Sequence, residues 1–256
     1  MKLVILAGGL GSRLSEETHI KPKPMVEIGG KPIIWHIMKH YTTFGINEFI
    51  VCCGYKGYVI KEYFANYLLH TSDVTFSMDS SKYIEFHNKK NESWKVTLAD
   101  TGESSQTGGR IKRVSSYIND QTFCLTYGDG LSNVNIQNLI LHHQSSKSDV
   151  TLTAVKPPGR YGSLRLCGER VENFQEKIDG DNAWVNGGFF VVEKNVLDLI
   201  KNDYSSWELD ILPKIAKSGK LNSFRHEGFW QSMDTLRDKN LLEKLWKDPN
   251  PPWKSW

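Results

Sequence analysis

A glycine-rich turn near the start of the chain, Gly8-Gly9-Leu10-Gly11, follows a short apolar run and precedes a helical pattern. The apolar run at residues 3–7 is typical of a buried parallel strand, and residues 32–41 have the pattern of a helix. A strand, a glycine-rich turn and a helix in this order direct backbone N–H groups toward a phosphate. The feature therefore predicts an α/β fold with a phosphate site at this turn.

Positive charge follows the turn. Arg13 comes directly after it, and Lys21-Pro22-Lys23-Pro24-Met25 comes next, where the prolines favour an extended segment that holds Lys23 in place. A polyphosphate needs several such partners because it carries several charges. The stretch lacks the Gly-Lys-Ser/Thr ending of a P-loop and the third glycine of a dinucleotide-binding turn. On the glycines alone, a tight structural turn remains an alternative.

Composition narrows the class of protein. The chain has 256 residues, which predicts one domain over 1–256, and a net charge of +3, which favours neither nucleic acid nor an anionic membrane as partner. No apolar run is long enough to span a bilayer, and the apolar run after Lys2 is too short for a signal-peptide core. The cysteines form no Cys-x-x-Cys pair, which predicts buried, reduced thiols in a cytoplasmic protein. They are Cys52, Cys53, Cys124 and Cys167.

Strand and helix patterns alternate along the first half of the chain. Strands are predicted at 48–53, 122–127 and 150–155, and helices at 56–67 and 135–144. This alternation predicts a mostly parallel, Rossmann-like sheet flanked by helices. Its ligand should lie at the carboxyl ends of the strands, where Leu6 leads into the glycine-rich turn and Tyr127 leads into Gly128-Asp129-Gly130.

Other segments depart from this alternation. Residues 71–98 alternate polar and apolar side chains, which predicts a small β insertion of strands and hairpins. A hairpin is predicted at 164–174 and a strand at 185–192. A C-terminal helical segment is predicted from a helix that opens at 205–208 with the spacing of a capping box, a strand at 221–225 and a final helix at 235–247.

Two carboxylates and two small-residue segments could carry chemistry. Asp129 follows a buried strand and could hold Mg²⁺, although Asp-Gly is also a common turn pair. Asp234 precedes the final helix and could be a metal ligand or an N-cap. Ser104–Arg110 could contact a nucleobase and phosphate, or could be a plain loop and cap. The glycines in 186–190 indicate a bulge or close approach of a ligand.

Two histidines, His36 and His40, lie four residues apart on a predicted helix, which is a spacing that zinc ligands can have. No carboxylate or cysteine nearby in the sequence completes such a site. We therefore predict packing or surface roles for both side chains, and the same for His142 and His143.

Six motifs span nearly the whole chain. They are the glycine-rich turn with residues 21–25, Thr107-Gly108-Gly109-Arg110, Tyr127-Gly128-Asp129-Gly130, and the segments 157–162, 186–190 and 229–235. In kind and order they resemble the motifs of the sugar-phosphate nucleotidylyltransferase family, and segments 104–110 and 157–160 resemble its cytidylyl branch more than its uridylyl or thymidylyl branches. Ile178 is a departure, since many relatives have proline after Glu176-Lys177.

The resemblance implies transfer of a cytidylyl group from CTP to α-D-glucose 1-phosphate, which gives CDP-glucose and pyrophosphate. Catalytic roles would fall to Arg13, Lys23 and Asp129, and Mg²⁺ would be held by Asp129 and Asp234. The nucleotide would be bound by Leu6, Ala7, Gly8, Gly9, Leu10, Gly11, Ser12, Arg13, Lys23, Ser104, Ser105, Gly109, Arg110 and Gly128. The sugar phosphate would be bound by Tyr161, Gly162, Glu176, Lys177, Asn186 and Gly187 in the 157–190 region.

The resemblance also implies a homo-oligomer, with a hexamer among the sizes open, and residues 71–98 as a contact. The product would feed dideoxysugar synthesis for the O-antigen of lipopolysaccharide. Two alternatives stay open: a UTP- or dTTP-dependent enzyme of the same kind, and a non-catalytic nucleotide-sugar-binding subunit. The presence of Arg13, Asp129 and Asp234 argues against the second, because such subunits typically lose the arginine or the metal carboxylates.

Overall fold

The computed structural model describes residues 1–79, 83–88, 92–157, 163–167, 170–175 and 184–256. Its strands are β1 (Leu3–Ala7), β2 (Glu27–Ile28), β3 (Lys31–Pro32), β4 (Glu48–Cys53), β5 (Asp73–Phe76), β6 (Ile84–His87), β7 (Lys95–Asp100), β8 (Thr122–Tyr127), β9 (Gly130–Ser132), β10 (Val150–Val155), β11 (Ser163–Cys167), β12 (Arg170–Gln175), β13 (Val185–Glu193), β14 (Leu221–His226) and β15 (Trp230–Ser232). Its α-helices are α1 (Ser15–Thr18), α2 (Ile33–Thr42), α3 (Gly57–Ala65), α4 (Tyr67–Thr71), α5 (Thr107–Arg113), α6 (Ile136–Ser146), α7 (Leu212–Lys217) and α8 (Leu236–Trp246). Shorter 3-10 helices span Ser12–Leu14, Lys23–Met25, Ser115–Tyr117 and Lys194–Leu199, and a π-helix spans Trp207–Ile211.

A seven-stranded sheet, in the order β14-β10-β13-β8-β1-β4-β7, organises the described part of the chain. The strands β8, β1, β4 and β7 run parallel to one another, as do β10 and β14. Strand β13 is antiparallel to both β10 and β8. The predicted mostly parallel α/β fold is therefore confirmed, with one antiparallel strand inserted between β10 and β8.

Both faces of the sheet are buried, which explains the continuous apolar run of its central strand. Successive side chains of a strand point to opposite faces. Leu3 and Ile5 of β1 pack in one cluster with α2, α6 and α8. Val4 and Leu6 pack in a second cluster with α5 and the 196–215 segment. The central strand β1 therefore lies between two cores. Its carboxyl end, like those of its parallel neighbours, faces the side of the sheet where a ligand is expected.

The 71–98 segment is divided between two sheets. Strands β5 and β6 pair antiparallel as a hairpin, as expected of an insertion. Strand β7, which begins at Lys95, instead pairs in parallel with β4 at the edge of the main sheet. Its exposed and half-buried residues mimic the alternation of a hairpin, because an edge strand is only partly covered. The predicted hairpin at 164–174 is confirmed by the antiparallel pairing of β11 with β12.

Three helix predictions need correction. The helix predicted at 56–67 is two helices, α3 and α4, which meet at Asn66. Helix α5 begins at Thr107, inside the segment predicted as a loop. The cap at the 205–208 segment is Ser206 and not Ser205, because the Ser206 side chain accepts from the Leu209 N–H.

In the described part of the chain, no helix has both the length and the apolar character needed to cross a bilayer.

Candidate active site

A cleft of about 530 Å³ lies at the carboxyl ends of β1 and β8. Residues from the glycine-rich turn, the 103–107 segment and the end of β8 meet there because β1 lies between β4 and β8. The lining residues are Leu6, Ala7, Gly8, Gly9, Leu10, Gly11, Ser12, Arg13, Lys23, Pro24, Glu103, Ser104, Ser105, Gln106, Thr107, Arg110, Tyr127, Gly128 and Asp129. This set contains every residue predicted for the nucleotide except Gly109.

The glycine-rich turn requires glycine at two positions for different reasons. Gly11 has a φ of +65°, a left-handed conformation that L side chains rarely adopt. Its carbonyl accepts a hydrogen bond from the Thr18 hydroxyl, which closes the turn. Gly8 is needed for space, because a Cβ there would lie 2.1 Å from a guanidinium nitrogen of Arg110. The turn therefore lies directly on Arg110.

Arg110 is buried and supports the neighbouring loop. Its guanidinium donates to the Thr101 hydroxyl, the Gly102 carbonyl and the Glu103 carbonyl at 2.9, 2.6 and 3.0 Å. Burial lowers the pKa of this side chain from its usual value. The contact of Arg110 with phosphate stays a prediction. The structure shows a role that sequence reasoning missed, which is to fix the 101–103 backbone beneath the cleft.

Gly109 lies outside the lining residues of the cleft, as far as the described residues show. It packs against the 203–205 segment, where an added Cβ would lie 2.4 Å from the Asp203 carbonyl oxygen. Its N–H donates to the Ser205 carbonyl at 3.0 Å. The small size of this residue therefore serves helix packing, and the Thr-Gly-Gly-Arg pattern combines a packing function with a site function.

Four charged side chains meet at the mouth of the cleft. The ammonium of Lys23 donates to Asp129 at 2.6 Å and to Asp234 at 2.8 Å. A guanidinium nitrogen of Arg13 lies 2.9 Å from the same Asp234 oxygen. The Lys23 side chain is 10% exposed and the Arg13 side chain is 73% exposed. The buried lysine is therefore held in place, whereas the arginine extends into solvent beside the cleft.

The electrostatics of Lys23 and Asp234 favour the charged form of both side chains. Burial alone lowers the pKa of Lys23, but the charge of Asp129 and hydrogen bonds to both aspartates outweigh it, so the pKa is raised above its usual value. Burial alone raises the pKa of Asp234, but the hydrogen bond and charge of Lys23, with Arg13 and Ser232, outweigh it, so the pKa is lowered. Two cations and two carboxylates thus coexist beside the glycine-rich turn.

Comparison with known proteins identifies the family. A family model described as nucleotidyl transferase matches residues 2–248. The chain belongs to the nucleotidyl transferase family. It is similar to the glucose-1-phosphate cytidylyltransferase of Salmonella typhimurium, with 59% identity over 257 residues that cover 100% of both chains. It is 29% identical to the D-glycero-alpha-D-manno-heptose 1-phosphate guanylyltransferase of Aneurinibacillus thermoaerophilus, covering 95% of this chain and 97% of the relative.

A solved structure agrees with the fold. The crystal structure of HddC from Yersinia pseudotuberculosis superposes with a TM-score of 0.70 at 27% identity, over 96% of this chain and 99% of that one. The α/β architecture described above is thus shared along almost the entire length of the two chains.

The Asp234 side chain does not cap a helix in this nucleotidyl transferase. The N-cap of α8 is Thr235, which accepts from the Asp238 N–H while Asp238 accepts from the Thr235 N–H in a capping box. The second oxygen of Asp234 accepts from the Ser232 hydroxyl at 3.0 Å. The predicted N-cap alternative is therefore wrong, because the helix begins one residue later and Asp234 faces Lys23 and Arg13.

Members of this family generally use a divalent metal ion. Among the described residues, no group of three or more His, Cys, Asp or Glu side chains could hold a metal by itself. Asp129 and Asp234 nevertheless converge on one cationic nitrogen. A hard cation such as Mg²⁺ usually takes one or two carboxylates and completes its shell with water and substrate phosphate. The donor set fits that requirement.

Sequence reasoning missed a polar network behind the cleft. The carboxylate of Glu208 accepts from the Tyr127 hydroxyl at 2.6 Å and from the Thr107 hydroxyl at 2.6 Å. The Ser206 hydroxyl donates to the same carboxylate at 3.1 Å. Burial and the charge of Glu208 raise the pKa of Tyr127 above its usual range. The motif Ser205-Ser206-Trp207-Glu208 contains a helix-start signal, but no local pattern shows that Glu208 reaches β8 and α5.

The predicted sugar half of the site is only partly described. The Asn186 amide donates to the Tyr127 hydroxyl at 3.3 Å, and the indole N–H of Trp230 donates to the Gly187 carbonyl at 2.7 Å. The first contact joins the start of β13 to the cleft wall at Tyr127, and the second joins it to β15. Four further residues predicted to bind the sugar phosphate lie outside the described residues: Tyr161, Gly162, Glu176 and Lys177.

The histidines and cysteines pack in the core, as predicted for the described positions. His36 and His40 hydrogen-bond to the carbonyls of Ile28 and Val134, both at 2.8 Å. His143 lies between the Thr151 hydroxyl and Glu193. The thiols of Cys52, Cys53 and Cys124 are free and buried. Burial, the largest cause, raises the pKa of Cys53 to about 11 and of Cys124 to about 12, so these thiols are poor nucleophiles at neutral pH.

Proposed function

We propose that this nucleotidyl transferase transfers a cytidylyl group from CTP to α-D-glucose 1-phosphate, with CDP-glucose and pyrophosphate as products. The similarity to a glucose-1-phosphate cytidylyltransferase over 100% of both chains supports this activity. The observation that carries the proposal is local. The glycine-rich turn, Arg13, Lys23 and Asp129 line one cleft. Asp234 contacts both cations beside it, so the groups that a polyphosphate substrate and its counterion need lie together.

The reaction is an in-line displacement that needs positioned charge rather than a protein nucleophile. An oxygen of glucose 1-phosphate attacks the α-phosphorus of CTP, the new P–O bond forms, and the bond to the pyrophosphate oxygen breaks. Arg13, whose side chain is exposed beside the cleft, would hold the leaving β- and γ-phosphates. Lys23 would contact the phosphates around the reaction centre. Catalysis would then come from orientation and from neutralising the charge that develops.

Asp129 and Asp234 are proposed to hold Mg²⁺ when substrates are bound. When held there, the metal would neutralise part of the negative charge of the substrate phosphates. In the structure, the Lys23 ammonium lies at the point where the two carboxylates converge. With these carboxylates occupied, Lys23 would leave one or both aspartates, and its ammonium would be available for a phosphate.

The nucleotide and the sugar are proposed to occupy neighbouring parts of the site. The ribose and cytosine would lie between the turn at Leu6–Ser12 and the 104–107 segment, where Ser104 and Ser105 line the cleft. Arg110 would act mainly by shaping this pocket through its carbonyl contacts. The sugar phosphate would lie near Asn186 and Gly187, together with the residues predicted for it between 161 and 177.

The chain is also proposed to act in the cytoplasm, where CTP is available, and to supply activated glucose for dideoxysugar synthesis. A homo-oligomer, with a hexamer as the size to test, is supported by apolar side chains on the hairpin of β5 and β6 within the 71–98 segment. Phe76, Met78, Tyr83 and Ile84 are all exposed there. The mass of the purified protein in solution tests this proposal, and a monomer would contradict it.

A nucleotide panel tests the proposed activity. Pyrophosphate release is measured with glucose 1-phosphate and each of CTP, UTP, dTTP and ATP, in the presence of Mg²⁺. We expect release with CTP to exceed the others by at least about tenfold, the discrimination that about 1.4 kcal/mol of differential binding supplies. Equal or greater pyrophosphate release with UTP or dTTP would contradict the proposed preference for CTP. Tight nucleotide binding without release from any of the four would favour a binding subunit.

A further inference from the structure

The structure points to Glu17 and Lys239 as positioning residues for Arg13, which is a role outside the predicted site. We propose that their ion pair, which we call the latch, fastens the phosphate loop (residues 12–20) to helix α8. This proposal rests on the proposed function, since Arg13 of that loop is the group assigned to the leaving phosphates. Both are positioning residues that lie outside the cleft lining and touch no substrate there.

The contact is an ion pair between two distant parts of the chain. The Lys239 ammonium donates to the Glu17 carboxylate, although 222 positions separate the two residues. Both side chains are about one-fifth exposed, so water screens the pair only partly. Lys239 lies near the start of α8, whose capping box and buried Leu242 fix its position. A rigid element therefore holds one end of the contact.

The same helix start holds the phosphate loop at a second charged point. Asp234, just before α8, contacts Arg13 at 2.9 Å. The loop thus meets this region through Arg13 at one position and through Glu17 one helical turn later. Two charged contacts to one rigid element restrict both the place and the direction of the segment between them. Because the loop is already ordered before the nucleotide binds, this geometry would lower the entropic cost of nucleotide binding.

Other anchors of the loop are independent of the latch. Leu14 is fully buried in the core, and the Thr18 hydroxyl bonds to the carbonyls of Gly11 and Leu14. The Tyr55 hydroxyl donates to the Thr18 carbonyl at 3.1 Å. Loss of the ion pair should therefore loosen the loop without unfolding the protein. The expected effect is a weaker contact of Arg13 with phosphate.

The first test measures CTP binding and turnover in Glu17→Gln and Lys239→Met. Each variant should raise the Kd of CTP with Mg²⁺ by about threefold or more, the scale of a partly buried ion pair. The KM for glucose 1-phosphate should stay the same, and kcat at saturating CTP should stay within about twofold, because Arg13 and its metal-site neighbours are intact. The charge-swapped double variant, Glu17→Lys with Lys239→Glu, should recover most of the CTP affinity.

A matched control is available in the segment that follows the phosphate loop. Lys21 and Glu27 form an ion pair at 3.0 Å that is more exposed and does not involve α8. Glu27→Gln removes a charge pair of the same kind without touching the latch. It should leave the Kd of CTP unchanged. An equal loss in Glu27→Gln would show that net charge, not the contact to α8, is responsible, and would overturn the proposal.

The second test uses trypsin and needs no nucleotide. Between Lys2 and Lys39 the basic residues are Arg13, Lys21, Lys23 and Lys31, and each of these lysines precedes a proline. Trypsin cuts poorly before proline, so the bond after Arg13 is the accessible target in this stretch. Cleavage there should be about threefold or more faster in Glu17→Gln and Lys239→Met than in the wild type and in Glu27→Gln.

The two tests separate the latch from the proposed function. If the wild type binds no CTP, the proposed function fails, and the trypsin rates alone still decide the latch. If Glu17→Gln and Lys239→Met changed neither the affinity for CTP nor the rate of cleavage after Arg13, the latch proposal would be overturned. Failure of the charge-swapped variant to recover affinity, with the melting temperature of the wild type retained, would overturn it as well.

Discussion

The ammonium nitrogen of Lys23 lies 2.8 Å from Oδ1 of Asp234, although 211 positions separate the two residues in the chain. The contact brings the segment after the glycine-rich turn against the residue that precedes the N-cap of the last helix. Asp129 closes the same cluster from the end of β8, 2.6 Å from the same nitrogen. Three distant parts of the sequence thus build one charged centre.

Replacement of Asp234 should remove activity and spare stability. In Asp234→Asn the side chain keeps its shape but loses the charge that faces Lys23, Arg13 and the proposed metal. Turnover should fall roughly a hundredfold or more, which corresponds to about 3 kcal/mol in the barrier. The melting temperature should remain near that of the wild type. Full activity in a stable Asp234→Asn protein would remove this residue from the metal site.

The neighbouring Thr235 provides the opposite outcome and a control. It is the N-cap of α8, and its hydroxyl accepts from the Asp238 N–H. Thr235→Ala should lower the free energy of unfolding by about 1 kcal/mol, while most of the turnover remains. Thermal unfolding and pyrophosphate release, measured on the same two preparations, would therefore distinguish the catalytic role of Asp234 from the structural role of Thr235. If both variants showed the same melting temperature and the same turnover, the separate roles assigned to Asp234 and Thr235 would be contradicted.

Removal of the Lys23 ammonium should have opposite effects on metal binding and on turnover. Lys23→Met leaves Asp129 and Asp234 without the cation on which they converge. Without nucleotide, the variant should bind Mn²⁺ or Mg²⁺ more tightly than the wild type, because the ammonium no longer competes. Turnover should fall roughly a hundredfold, since a phosphate partner is lost. Calorimetry with each metal checks the first effect, and weaker metal binding in the variant would contradict it.

An alanine at position 8 should disturb the cleft through Arg110. The added Cβ would lie 2.1 Å from the guanidinium, which must then move and give up contacts to the Gly102 and Glu103 carbonyls. Gly8→Ala should therefore raise the KM for CTP by about tenfold or more, the scale of a lost charge-assisted contact. Gly130→Ala is the control, because Gly130 does not line the cleft and a Cβ added there has no neighbour within 4 Å in the described part of the chain. Equal KM values in the two variants would be inconsistent with this packing.

Stability should fall as the pH drops below about 6.5, the pKa of histidine in an unfolded chain. Burial lowers the pKa of His36 and of His40 to about 4 in the folded protein. Between these two values the unfolded state binds more protons, so acidification favours unfolding. At pH 5 each residue should cost about 2 kcal/mol. Melting temperatures at pH 7 and pH 5 check this, and His40→Gln should show a smaller difference between them.

Much of the fold is predictable because its central strands are short, apolar and flanked by clear turns. The sequence predicts β4 and β8 with the bounds that the structure shows. It does not predict the antiparallel insertion of β13, because a buried strand has the same apolar pattern in either direction. Nor does it separate the edge strand β7 from the hairpin insertion, because partial burial gives both the same alternation.

The candidate site is predictable where one local motif carries the chemistry. The glycine-rich turn and Asp129 fall in one cleft, as their positions at strand ends predict, and Lys23 of the motif that follows the turn lies there too. Contacts across long sequence distances are not predictable in this way. Nothing in the local sequence pairs Glu208 with Tyr127 or Lys239 with Glu17. The sequence around Gly109 predicts a binding residue, whereas the structure shows a glycine that packs against Asp203. Sequence alone does not distinguish a glycine needed for packing from one needed for ligand contact.

Transfer of the α-phosphorus of CTP to an oxygen of glucose 1-phosphate is the reaction on which the assigned roles depend. Parallel reactions with α-labelled and γ-labelled CTP test it most directly, with the labelled products separated and identified by mass. We predict that the α-label enters CDP-glucose and the γ-label enters pyrophosphate, in equal amounts, and that Asp234→Asn greatly slows both. Label from the γ-phosphate on the sugar, or α-label found only in CMP or CDP, would contradict this transfer.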